Sequence, residues 1–64
     1  MSAATAKLAK RAHQALADAP DGLRKAELMS KAHLDEAAIQ ALVDAKAIRL
    51  NGKRGFGARF LKAA

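Results

Sequence analysis

Residues 47–61 read AIRLNGKRGFGARFL, and this stretch decides the fold because the hydrophobic pattern changes its period here. Ile48 and Leu50 alternate with a charged residue, as in a half-buried strand, and Asn51-Gly52 is a strong hairpin signal. The apolar residues after the glycine-rich, basic loop can return as a second strand. We therefore predict a β-hairpin at about residues 47–62.

Helical periodicity precedes this hairpin. The Ala-rich first segment places apolar residues at i, i+4, i+7 and i+8 from Leu8, and Pro20 and Gly22 then break the pattern. Asp35 is placed to cap a later helix by accepting its first backbone N–H groups. We predict helices at about residues 3–17, 24–32 and 35–46. The predicted fold class is mainly α with a small β-hairpin, as a single domain of residues 1–64.

The stretch from Gly22 to Leu28, the stretch from Ile39 to Leu50 and the hairpin through Phe60 together resemble a winged helix-turn-helix domain. The resemblance covers about residues 3–61 and implies an α-α-α-β-β layout whose third helix lies in a DNA major groove. Lys46 departs from the pattern, since the family commonly has a glycine there to end the third helix. A left-handed lysine would cost about 1 kcal/mol relative to glycine. The alternative is that the helix continues for a residue or two.

The composition favours a polyanionic partner. The 64 residues include 12 Lys and Arg against 6 Asp and Glu, which gives a formal net charge of +6 and no cysteine. Counterion release on phosphate binding rewards such an excess of positive charge. Double-stranded DNA is the expected partner, and RNA and a homodimer stay open. The chain has no apolar run long enough to span a membrane, and the lack of cysteine fits the cytoplasm or nucleoid.

The basic loop of the hairpin supplies the first candidate contacts, since its glycines allow close approach to another surface. In a winged helix this element resembles the one that lies along the phosphate backbone. Phe56 either stacks on a base or folds back over the core, whereas Phe60 is expected in the core. The full set of expected nucleic-acid contacts is Lys53, Arg54, Arg59, Arg49, Arg24, Lys25, Lys31, Gln40 and Phe56.

The predicted third helix offers little base recognition. Gln40 has one amide that can pair with adenine, and its neighbours are mostly alanines or acids that repel phosphate. We therefore expect non-catalytic DNA binding with weak sequence preference, as an architectural nucleoid-associated protein or a small transcriptional regulator. A ribosomal-type RNA-binding winged helix and a protein-interaction module are the alternatives. We expect no enzyme, because the chain has no nucleophile elbow or phosphate loop. We also expect no cofactor, and no metal at the isolated His13 and His33.

Overall fold

Three helices followed by a two-stranded antiparallel hairpin make up the structure, a computed structural model that describes residues 2–52 and 57–63. The predicted fold class is therefore confirmed, and the element order matches the α-α-α-β-β layout of a winged helix. Within the described residues, no helix has the length and apolar character needed to cross a membrane. The elements are α1 (Ala3–Ala17), α2 (Lys25–Ala32), α3 (Glu36–Asp44), β1 (Ile48–Asn51) and β2 (Arg59–Lys62).

Acidic side chains stabilise the starts of α2 and α3. The Asp35 carboxylate accepts a hydrogen bond from the Ala38 N–H at 2.7 Å, which confirms Asp35 as the N-cap of α3. At α2 the Glu27 carboxylate reaches back and accepts from the Arg24 N–H at 3.2 Å. Arg24 itself has an extended backbone, so α2 begins one residue later than expected. Both bonds satisfy backbone donors that lack partners within the helix.

The end of α3 decides between the two alternatives for Lys46. The helix ends at Asp44, and Lys46 is left-handed with a φ of 60°. Its N–H donates to the Val43 carbonyl at 3.0 Å, and the next N–H, from Ala47, donates to Leu42 at 2.9 Å. These two bonds form a Schellman motif, which normally has glycine at the left-handed position. The helix therefore stops two residues before the expected end, with a lysine in a conformation that favours glycine.

The hairpin gains a third segment that the sequence did not indicate. Leu23, between α1 and α2, pairs with Phe60 through reciprocal hydrogen bonds of 3.0 and 2.7 Å. On its other edge Phe60 lies opposite Leu50 of β1. Gly22 permits this approach, since it has a φ of +89° and a Cβ there would lie 2.7 Å from the Phe60 carbonyl oxygen. β2 is thus anchored to the segment that leads into α2.

The core lies between the helices and the inner side of the hairpin. Leu28, Leu42 and Ile48 are fully buried, and Phe60 is buried as expected. Leu50 is different, since 37% of its surface stays exposed. The remaining buried apolar residues are Ala9, Ala12, Leu16, Leu23, Ala32, Leu34, Ile39 and Ala47.

Two polar side chains of α1 form hydrogen bonds that hold the hairpin and α2 against it. His13 Nε2 donates to the Ala47 carbonyl at 2.8 Å, because a carbonyl oxygen can only accept. Arg11 donates to the Ala32 carbonyl at 3.1 Å and also to the His33 carbonyl, at the end of α2. α1 therefore holds both the base of the hairpin and the last turn of α2.

Candidate nucleic-acid interface

Charge is strongly segregated along the chain. All six acidic residues lie within residues 18–44, and residues 45–64 contain six Lys and Arg without one acid. The segment that forms the hairpin is therefore the most basic part of the chain. A surface with one sign of charge attracts phosphate more than a mixed surface does.

The strand register determines which side of the hairpin carries these charges. Arg49 lies opposite Leu61, and Asn51 lies opposite Arg59. Paired residues point to the same side of a sheet and successive residues alternate. Arg49 and Arg59 therefore share one side of the hairpin. They are diagonal neighbours across the two strands, with Cα atoms about 7 Å apart. We call this side the outer face of the hairpin, and both arginines on it are exposed.

Within the described residues, no acidic group neutralises the outer face. Among residues 2–52 and 57–63, no carboxylate lies within 4.0 Å of the Arg49 or Arg59 guanidinium groups. Lys62 is also exposed and lines a small cavity at the base of the hairpin with Arg49 and Leu61. Lys62 was not among the expected contacts, although the absence of acids after Asp44 is a signal that identifies it.

The exposed side of α3 has the opposite character. Asp35, Glu36 and Asp44 lie at or near its ends, and no Lys or Arg occurs between them. Gln40, expected to read a base, donates its amide to the Asp44 carboxylate at 2.9 Å. This face therefore repels phosphate, and the amide expected to read a base already shares one of its N–H groups with Asp44.

Lys25 is paired with an acid of α3. Its ammonium group donates to the Glu36 carboxylate, and the two side chains are 50% and 71% exposed. The hydrogen bond from Lys25, helped by its positive charge, holds the pKa of Glu36 below its ordinary value. A phosphate at Lys25 must compete with Glu36, so this expected contact is partly neutralised.

A groove of about 920 Å³ separates α3 from the hairpin. Arg24 lies at its edge, with a guanidinium nitrogen 3.9 Å from the position that a Cβ on Gly57 would occupy. Val43, Leu50 and Phe60 supply apolar walls. The structure thus brings Arg24 next to the hairpin, while Lys25 and Gln40 line the same groove from the helices.

Lys31 lies in a different place. It lines a cavity of about 360 Å³ between α1 and α2, together with Arg11, Asp18 and His33. The expected contacts therefore do not form one continuous surface. Lys53, Arg54 and Phe56 lie outside the described residues.

Neither a metal site nor a similarity to known proteins assigns a function to this chain. Within the part of the chain that the structure describes, no three His, Asp or Glu side chains come together as metal ligands would. Comparisons with protein-family models, curated proteins and solved structures found no match to this chain.

Proposed function

We propose that this protein binds double-stranded DNA without catalysis, through phosphate contacts made by its hairpin and with weak sequence preference. The observation that carries the proposal is the outer face, where Arg49 and Arg59 lie side by side, exposed and without a carboxylate within 4.0 Å among the described residues. An architectural role, as in nucleoid-associated proteins, fits a protein that reads few bases.

The charge distribution supports a particular orientation on DNA. The acidic face of α3 is repelled by phosphate, whereas the outer face and Lys62 attract it. The hairpin therefore makes the principal contact, and α3 does not enter the major groove deeply. This differs from the docking that the resemblance implies, in which the third helix leads.

Salt dependence supplies a quantitative test. Each phosphate neutralised on B-DNA contributes about 0.9 to the slope of log K against log salt. Arg49→Gln combined with Arg59→Gln should therefore lower the slope by up to about 1.8 on every sequence. The matched control is Lys25→Gln with Lys46→Gln, which removes the same charge away from the outer face.

The assay is fluorescence anisotropy with a random-sequence duplex at several salt concentrations and a matched RNA duplex as competitor. A larger loss of slope in the arginine variant than in the control supports the proposal. Equal losses would show that net charge alone matters, and a preference for RNA would favour the ribosomal-type alternative. Absence of binding to both nucleic acids would refute the proposal and leave the groove beside Leu50 as a candidate protein-docking surface.

A further inference from the structure

A second basic surface lies on α1. No acid occurs in residues 2–17, and the spacing of Lys7, Lys10 and Gln14 puts them on one side of the helix. That side is opposite the buried residues Ala12 and Leu16, and both lysines are exposed. We call Lys7 and Lys10 the α1 surface.

The α1 surface is set apart from the hairpin. The base of the hairpin is attached near the C-terminal half of α1, where His13 donates to the Ala47 carbonyl at 2.8 Å. Leu16 lines the same small cavity as Arg49. Lys7 and Lys10 lie six and three residues before His13, about 9 and about 4.5 Å along the helix axis. They project from the side of α1 opposite Leu16, so the α1 surface faces away from the side of the helix beside which Arg49 lies.

The lysines of the α1 surface differ from Arg11, the third basic residue of α1, in their hydrogen bonding. The Arg11 guanidinium group donates hydrogen bonds to the Ala32 and His33 carbonyls and so holds α1 against the end of α2. Lys7 and Lys10 make no hydrogen bond or ion pair through their side chains to any described residue. Their ammonium groups remain available to a phosphate.

We propose that the α1 surface is a second duplex-binding site, so that one protein molecule bridges two DNA duplexes. This inference rests on the proposed function, since the hairpin must hold the first duplex. The segment between the two basic regions, residues 18–44, contains every acid of the chain and has a net charge of −3 from six acids and three cations. Because the α1 surface faces away from the side of α1 that contacts the hairpin, one stiff duplex would have to bend around the molecule to reach both surfaces, which favours two separate contacts.

The test is a bridging assay with two short duplexes, one biotinylated and held on beads and the other fluorescent. Lys7→Gln with Lys10→Gln is the test variant, because Gln and Lys have similar helix propensities and α1 is retained. Removing two phosphate contacts should weaken the second site by on the order of 10- to 100-fold at ~0.1 M salt. The control is Lys46→Gln, compared with Lys7→Gln and Lys10→Gln taken singly; it removes one charge outside both surfaces and should bridge as the unchanged protein does. Anisotropy with one duplex, at low protein concentration, reports the hairpin site separately.

The expected result is that the α1 variant keeps its hairpin-site affinity but no longer retains fluorescent duplex on the beads, while sedimentation shows a monomer. Single-duplex binding without bridging by the unchanged protein would overturn the inference and leave the proposed function intact. Bridging that survives in the α1 variant, or that depends on a dimer, would also overturn it. Failure to bind any duplex would overturn both proposals.

Discussion

Replacement of Gly22 by alanine should be among the most destabilising single-methyl changes in this chain. The positive φ of +89° costs an L-residue about 1 kcal/mol after the gain from restricting the unfolded chain. The new Cβ would also lie 2.7 Å from the Phe60 oxygen and 2.9 Å from Leu61 Cδ2. The oxygen accepts the Leu23 N–H and cannot retreat without loss of that hydrogen bond, which contributes about 1 kcal/mol, and overpacking against Leu61 adds about 1 kcal/mol. We expect a total of about 3 kcal/mol.

Gly52→Ala is the matched control, because Gly52 has a φ of +98° but its nearest neighbour, Ala58 Cα, lies 3.4 Å from an added Cβ. This variant should lower the free energy of unfolding only by the cost of the positive φ, about 1 kcal/mol. Urea denaturation followed by circular dichroism measures both variants, and a thermal midpoint lowered by about 4–8 °C per kcal/mol gives a second readout. Equal destabilisation by the two substitutions would refute the claim that close packing of β2 against Gly22 is what demands glycine.

Three further predictions concern single residues. Lys46→Gly should stabilise the fold by up to about 1 kcal/mol in urea denaturation, because it relieves the left-handed lysine, whereas Lys46→Ala should not. Glu36→Gln should raise the affinity for duplex DNA, measured by anisotropy, by less than about tenfold, because it frees Lys25 for roughly one more phosphate contact. The control Asp18→Asn removes an acid at the far end of α1 and should raise the affinity less. The lowered pKa of Glu36 means that its pair with Lys25 stabilises the fold at neutral pH and that this contribution is lost as the pH falls through that pKa. The stability difference between Glu36→Gln and the unchanged protein should therefore vanish in acid, and a difference that persists would contradict the pairing.

Local signals in the sequence were sufficient for the elements of the fold. Asp35 acts through its own backbone neighbours, so its role as N-cap was predictable from residue type and position. The end of α3 was less determined, since continuing the helix and forming a left-handed turn at Lys46 differ by only about 1 kcal/mol. The pairing of Leu23 with Phe60 was not predictable, because it joins residues far apart in sequence through backbone groups that any residue possesses.

The candidate interface was predictable in charge but not in arrangement. Composition indicated a basic, phosphate-binding protein, but the partner that neutralises Lys25 comes from another helix, eleven residues away. Lys31 likewise faces a cavity against α1 because of how α2 packs, which periodicity within a short helix does not reveal. The strand register was the missing information for Arg49 and Arg59, since it decides which side of the hairpin they share.

The acids that stabilise α3 also explain why we assign the proposed DNA contact to the hairpin. A helix N-terminus is ordinarily a good phosphate site, because its free N–H groups and dipole attract anions. In α3 the Asp35 carboxylate already accepts from one of those donors, and Glu36 adds a second negative charge beside it. A DNA phosphate arriving there must displace a covalently attached carboxylate, with a helix cap worth about 1 kcal/mol lost in the exchange. At Arg49 and Arg59 no ion pair within the described residues has to be broken, so in the proposed complex the same phosphate would bind there without a structural penalty.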